Sequence, residues 1–348
     1  LSPHDEQTRV LIVRLGAMGD ILHALPAIAA LRQAHPKWYL GWAVEPRWRP
    51  LLSADDGQMP LVNRIHLVKA KQWARSPLRG DTLHEIGALR RELRAERYDV
   101  CVDLQGAVRS ALAGRLAGAA RMIGEDRPRE WAARWLFGER VQTRGVHVIE
   151  QAVEVSAAVA QEPLAPVLPL LPLNRNAEAW AVDVLRGTGQ QPVVLISPGA
   201  GWGAKRWPAE RYGAVARDLQ RQGCTVLVNA GPEEKAIAVE VVRASGGVAR
   251  APEFTLERLI ALTRRVCLVI AGDTGPLHLA CALGKPVVGI YGPTDPRRNG
   301  PFGVPFRVLR HPESKRDHTR HAEPEAGLLT ITPQQVVEAA MDLLGKTR

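Results

Sequence analysis

The chain alternates short, nearly unbroken apolar runs with longer stretches in which apolar residues recur every three or four positions. "RVLIVRLG" (9–16) has the first pattern and "ILHALPAIAALRQAHP" (21–36) the second, so a buried strand hands over to a helix within a few residues. "YLGWAVE" and "YDVCVDLQG" repeat the strand pattern, with "HEIGALRRELRAER" as the helix before the second of these. Strands alternating with helices predict βαβ units and a mostly parallel sheet.

The alternation breaks at "EPLAPVLPLLPLNR" (162–175), whose four prolines suit neither a helix nor a central strand. It restarts with "PVVLIS", "RYGAVARDLQRQG", "TVLVNAG", "TLERLIALTRR", "VCLVIAG", "GPLHLACALG" and "KPVVGIYG". Two doubly wound α/β domains follow from this, an N-terminal one over 1–165 and a C-terminal one over 166–348. In "TPQQVVEAAMDLLG" a Thr cap, a Pro at the first helical position and a closing Gly predict a terminal helix over about 333–345. That helix is available to pack back on the N-terminal domain.

Composition narrows the setting. Of 348 residues, 46% are hydrophobic and 24% charged, the balance of a soluble globular chain. Arg, Asp or Pro interrupts every apolar stretch before it reaches bilayer length, and the opening residues carry no signal-peptide pattern, so a cytosolic setting is expected. Cysteines at 101, 224, 267 and 281 have no metal-ligand spacing and are expected as free, buried thiols. A formal net charge of +10 calls for anionic partners. With no basic block interleaved with aromatics, nucleic acid is not among the expected ones.

Open α/β sheets bind ligands outside the carboxyl ends of their strands, and the chain's unusual stretches fall there. In "VRLGAMGDILHALPA" a glycine turn from Gly16 to Gly19 places Asp20 at the start of the first helix, as a cap or as a chemical group. "VVLISPGAGWGAKRWPAERY" (193–212) ends a glycine-rich loop with Lys205. It is neither a P-loop, since Ala204 precedes the lysine and Arg206 follows, nor a dinucleotide fingerprint. Loop amides with a cation still suit a phosphate, although a glycine turn with a surface lysine reads equally well. "VIAGDTGPLHLACALGKPVVGIYGPTDP" (269–296) sets Asp273, Thr274 and Gly275 at a helix start with Pro276 behind them, where amides and helix dipole converge on an anion. His278, one turn in, is either a further donor to that anion or a satisfied core histidine. In "NAGPEEKAI" (229–237), Glu233 or Glu234 can accept from ribose hydroxyls or simply sit solvated at a helix start.

Together "GAMGDILHALPA", "DLQGAVRSALAGRLAG", "PGAGWGAKRWP", "AGPEEK" and "GDTGPLHLACALGKPVVGIYGPTDP" resemble glycosyltransferase family 9, the heptosyltransferases of lipopolysaccharide core assembly, over nearly the whole chain. The resemblance implies the GT-B architecture, two Rossmann-like doubly wound parallel-sheet domains facing a cleft. It implies Asp20 at the acceptor hydroxyl as catalytic base. It also implies donor contacts from Ala200, Gly201, Lys205, Glu234, Phe254, Asp273, Thr274, Gly275 and His278, and acceptor contacts from Lys71, Arg75 and His147.

"YGPTDP" and "DLQGAVRSA" look closer to heptosyltransferase I than to heptosyltransferase II. The implied donor is ADP-heptose and the implied acceptor the Kdo of Kdo2-lipid A; a family member with another sugar donor or core acceptor, heptosyltransferase II-like, and a non-catalytic nucleotide-sugar-binding protein are the alternatives. Gly201 stands where the family often has Ser or Thr, and Gln72 and Ala74 where close relatives have arginines.

No Asp-x-Asp pair follows a strand, so an inverting transfer without metal or other cofactor is expected, with Lys205 and the helix at 275 neutralising the leaving diphosphate. The positive charge fits a peripheral protein on the anionic inner leaflet of the cytoplasmic membrane. In "REWAARWLFGER" (129–140), Trp131, Trp135 and Leu136 read either as an interfacial helix face or as core.

Overall fold

The computed structural model describes residues 8–231, 234–317 and 321–346; Lys346 is described by its backbone alone. The chain forms two compact units, Leu1–Pro172 and Leu173–Arg348.

The first unit contains β1 (Arg9–Val13), α1 (Met18–Ala34), β2 (Tyr39–Val44), β3 (Arg64–Leu67), α2 (Ala70–Arg75), α3 (Gly80–Ala95), β4 (Val100–Asp103), α4 (Val108–Arg115), β5 (Arg121–Glu125), β6 (Glu139–Val141) and α5 (Val148–Ala160). Its strands form one parallel sheet in the order β3-β2-β1-β4-β5-β6. This is the doubly wound order in which the winding reverses between β1 and β4. Those central strands are buried on both faces, which is why they read as unbroken apolar runs. Helix α1 is buried from Ile21 to Leu31, and α5 packs on it.

The second unit contains α6 (Arg175–Val184), β7 (Val193–Ser197), α7 (Ala209–Arg221), β8 (Thr225–Val228), α8 (Lys235–Ala244), α9 (Leu256–Thr263), β9 (Leu268–Gly272), α10 (Gly275–Ala282), β10 (Val287–Tyr291), α11 (Pro296–Asn299), β11 (Phe306–Arg310) and α12 (Pro333–Lys346). The order β11-β10-β9-β7-β8 is again all parallel, and the winding reverses between β7 and β9. Two such Rossmann-like parallel-sheet units are the content of the GT-B class.

Four details differ from the sequence reading. The division lies at Pro172 rather than at 165, because Val167 N–H donates to the Pro26 carbonyl of α1 (3.3 Å) and Leu171 is buried, which keeps the proline stretch on the first unit. Helix α12 runs past Gly345 to Lys346 and belongs to the second unit. It closes the core of the second, where Val336, Ala340, Leu343 and Leu344 pack with Trp207, Leu328 and Ile331, each buried Val or Leu contributing about 1.5–3 kcal/mol. The cap is as read: Thr332 and Gln335 exchange hydrogen bonds, Thr332 N–H to Oε1 at 2.9 Å and Gln335 N–H to Oγ1 at 3.3 Å. Cys101, Cys224 and Cys281 are buried, but Cys267, one residue before β9, is exposed.

The fourth difference concerns "WAARWL", a tight 3₁₀ turn rather than an α-helix. Ala133 is buried and Leu136 packs on the core, while Trp131 is 59% and Trp135 72% exposed. The core reading of the two indoles is overturned. The Arg134 guanidinium stacks over Trp131 and pairs with Asp126 (2.7 Å).

Candidate functional site

In the second unit, the loops after β7 and β9 meet at the switch point. Lys205 Nζ donates to Asp273 Oδ2 at 2.6 Å and to its carbonyl at 3.3 Å, and His278 Nε2 lies 3.1 Å from Asp273 Oδ1. Burial alone would push the Asp273 carboxyl up. The His278 hydrogen bond and the Lys205 charge outweigh it and hold the carboxyl well below the usual carboxylate range. Lys205 has three donors, of which Asp273 takes two, and it lies 5.1 Å over the Trp202 ring. His278 is buried against Asp273, so Lys205 and His278 address one carboxylate from two sides.

Thr274 caps α10 with extended backbone, but its hydroxyl donates to the Gly272 carbonyl (3.3 Å) rather than to the helix. The first-turn amides, Gly275 among them, therefore have no side-chain cap from Thr274. Pro276 at the first turn and Gly284 at φ +70 past the end frame this helix as the sequence implied.

The Lys205 loop is clasped from the carboxyl-terminal side. Ala204 N–H donates to the His321 carbonyl (3.1 Å) and Glu325 N–H to the Ala204 carbonyl (3.2 Å), a two-rung ladder along one residue. A Cβ at Gly203 would lie 1.5 Å from the Ala322 carbonyl oxygen, so only glycine permits this approach. The Glu325 carboxylate fixes the strap by accepting from Leu328 N–H (2.8 Å) and Ser314 Oγ (3.0 Å). Sequence reasoning missed this strap, since nothing in "RHAEPEAG" has a period.

Glu234 folds back to accept from Gly231 N–H (3.2 Å), and its carboxylate fills the space a Cβ at Gly199 would need. It therefore lies against the 198–205 loop; Glu233 lies outside the described residues. Lys235 meets Glu253 (3.0 Å), which draws the Phe254 segment to the start of α8. Phe254 stands edge-to-face on Trp180, ring centres 5.5 Å apart. Ala200 is buried, and Gly201 is exposed with open space where a Cβ would stand.

In the first unit the turn after β1 carries Asp20. Its Oδ2 accepts from Ala17 N–H (3.1 Å) as a helix cap, and its Oδ1 pairs with Arg14 Nη2 (3.0 Å). Arg14 also donates to the Leu104 carbonyl after β4, and Leu15 N–H donates to Gln105 Oε1 (2.8 Å). The loop after β4 thus holds the turn after β1 from two points. That loop is set by Asp103, which accepts from Gln105 N–H (2.7 Å), Gly106 N–H (2.8 Å) and Ser110 Oγ (2.7 Å). Burial pushes its carboxyl up to about 6 against the pull of these donors. Gly106, at φ +64, has Arg129 N only 2.9 Å from a would-be Cβ. The sequence showed "DLQG" as a motif without this role.

Glu45, buried at the end of β2, donates its N–H to the Leu15 carbonyl (3.0 Å) and faces the same turn. Lys71 Nζ reaches its Oε2 at 3.6 Å and Arg47 Nε at 3.4 Å. Helix α2 is anchored by Glu85, which accepts from Lys69 Nζ and Trp73 Nε1, both at 2.7 Å. Lys71 and Arg75, four apart, stay exposed on another face. Only Lys71 is thereby tied to the turn.

His147 caps α5, its Nδ1 accepting from Ile149 N–H (3.2 Å), and is buried edge-to-face against His23 at 5.8 Å. His23 lies one turn beyond Asp20 on α1 and was not singled out in the sequence. Among the described residues, no group of three or more His, Cys, Asp or Glu side chains could hold a metal ion, and no helix is long and apolar enough to cross a membrane.

The glycosyltransferase family 9 (heptosyltransferase) model matches residues 86–328. Lipopolysaccharide heptosyltransferase 1 of Escherichia coli K12 is 30% identical over 310 residues, covering 87% of this chain and 94% of that protein. Lipopolysaccharide heptosyltransferase 2 of the same strain is 26% identical over 364 residues, covering 97% and 98%. Among solved structures, E. coli heptosyltransferase WaaC with ADP is similar with a TM-score of 0.78 at 25% identity, over 97% of this chain and all of that one.

Proposed function

The chain belongs to glycosyltransferase family 9, the heptosyltransferases of lipopolysaccharide core assembly, and on that premise we propose that it moves L-glycero-D-manno-heptose from ADP-heptose to the Kdo of Kdo2-lipid A. The observation that carries the donor side is the Lys205–Asp273–His278 cluster at the β7/β9 switch point, beside the open first turn of α10. A diphosphate takes the spare Lys205 donor and the Gly275 N–H at the positive end of α10, which stabilises charge as it develops on the leaving group. Glu234 accepts from the ribose and Phe254 offers an apolar wall for the base. The transfer is proposed to need no metal or other cofactor, because Lys205 and the positive end of α10 stand against the leaving diphosphate.

On the acceptor side, Asp20 removes the hydroxyl proton as the oxygen attacks C1, which inverts that centre. Lys71 and Arg75 meet the acceptor's anionic groups, and His147 shapes the pocket through His23. The Kdo acceptor is favoured by "YGPTDP" and "DLQGAVRSA". A lipid acceptor also accounts for the exposed Trp131 and Trp135 beside Arg134, which would rest on the anionic cytoplasmic face of the membrane. The deciding experiment offers ADP-heptose with either Kdo2-lipid A or its monoheptosylated form and follows the product by mass. A gain of one heptose on the first supports the reading, and a gain only on the second replaces it with a heptosyltransferase II-like one.

A further inference from the structure

Gln105 is 5% exposed and stands just past β4, across the switch point from the turn that carries Asp20. Leu15 N–H can only donate, so its bond to Gln105 Oε1 fixes which way the amide points. The Nε2 end is left with two N–H groups, buried and with no acceptor among the described residues. Buried polar groups are paired almost throughout folded proteins. An amide left this way in the loop that also holds Arg14, the partner of Asp20, points to a ligand oxygen.

Two further donors at the same turn are in the same condition. Arg14 Nε is buried without an acceptor among the described residues, although its terminal nitrogens hold Asp20 and Leu104. Trp48 Nε1 is likewise buried and packs against Gly16, where a Cβ would come within 2.8 Å of it. All three are donors. A surplus of donors suits an anion, which only accepts, better than a neutral hydroxyl, which must also donate.

We propose that Gln105 Nε2 binds the carboxylate of an acidic sugar acceptor, next to the hydroxyl that Asp20 deprotonates, with Arg14 and Trp48 lending donors to the same anion. The proposal rests on the acceptor reading above and deepens it. Gln105 is then a specificity residue, and its hold on Leu15 couples recognition of the carboxylate to the turn that presents Asp20.

The test compares Kdo2-lipid A with the methyl ester of its Kdo carboxylates as acceptors. Gln105→Glu keeps the oxygen that Leu15 needs but replaces the donor with an acceptor. Its acceptor KM should rise about tenfold or more, the worth of a hydrogen bond to a charged group. Its ADP-heptose KM should stay within twofold of wild type, and its preference for the acid over the ester should vanish. Trp48→Phe, which removes one N–H and little volume, should raise acceptor KM several-fold in the same direction and covers the case in which a buried glutamate unfolds the unit. Wild-type turnover on Kdo2-lipid A with acceptor KM unmoved in both variants overturns the inference and leaves the acceptor reading standing. Wild-type turnover only on a monoheptosylated acceptor, whose attacked sugar has no carboxylate, overturns both.

Discussion

Replacing Asp20 separates its structural role from its chemical one. The carboxylate caps α1 through Ala17 N–H and pairs with Arg14, with side-chain exposures of 30% and 15%. Asp20→Asn keeps an oxygen for the cap and loses only the ion pair, which after discounting for this exposure is worth about 0–1 kcal/mol. Asp20→Ala loses the cap as well, a further cost of about 0.5–2 kcal/mol. For a unit of this size each kcal/mol moves the melting midpoint by about 2–4 °C. The Asn variant should therefore melt within a few degrees of wild type.

As a general base, the same group contributes about 10²- to 10⁴-fold to turnover, which is roughly 3–5 kcal/mol of barrier. The two roles thus differ in size as well as kind. Product formation followed by mass, melting curves and ADP titration on wild type, Asp20→Asn and Asp20→Ala form the assay. Both variants should lose at least a hundredfold in kcat while ADP affinity, proposed to rest on the second unit, holds within twofold. Turnover of Asp20→Asn within threefold of wild type would refute the base role. A kcat loss that tracks the melting shift across the two variants would reduce Asp20 to a cap.

Lys205→Met should weaken ADP binding about 10- to 100-fold, the range for a charged hydrogen bond to phosphate, with Lys205→Arg recovering part of it in the same titration. Gly203→Ala should displace the 321–325 strap at an overpacking cost of about 1–3 kcal/mol and raise donor KM without moving acceptor KM. Asp103 has a folded value of about 6, above the free carboxylate value of about 3.9. The folded state therefore binds that proton more tightly, and stability falls by about 3 kcal/mol as pH rises from about 4 to about 6. Asp103→Asn keeps acceptors for Gln105 and Gly106 and removes this loss, so its urea midpoint should change less between pH 4 and 7 than that of wild type. Trp131→Ala with Trp135→Ala should lower co-sedimentation with anionic vesicles several-fold while leaving the melting temperature unchanged; unaltered co-sedimentation would refute the membrane surface.

The sequence by itself determined the central strands and the helices α1, α3, α7, α9, α10 and α12. β1, β4, β7, β9 and β10 are buried on both faces, so apart from Arg9, Asp103 and Ser197 at strand ends their residues are apolar and the run is visible without any partner. It did not show β3, β6 and β11, edge strands whose "RIHL", "ERV" and "FRVLR" face solvent on at least one side and carry charge, nor β5, "RMIGE", whose apolar run is cut by half-buried charges at both ends.

The same division runs through the site. Asp20 in the first unit and Lys205, Asp273 and His278 in the second stood out in the sequence because they follow glycine turns after apolar runs, and the structure brings the latter three together. Their partners did not. Arg14, Gln105 and Glu45 reach the Asp20 turn from three strands, and His321 and Glu325 reach Ala204 from more than a hundred residues away. Local sequence records the period of burial, because burial acts on each segment in turn. Which buried donor meets which acceptor is decided only when the sheet order brings strand ends together, and no segment carries that order within itself.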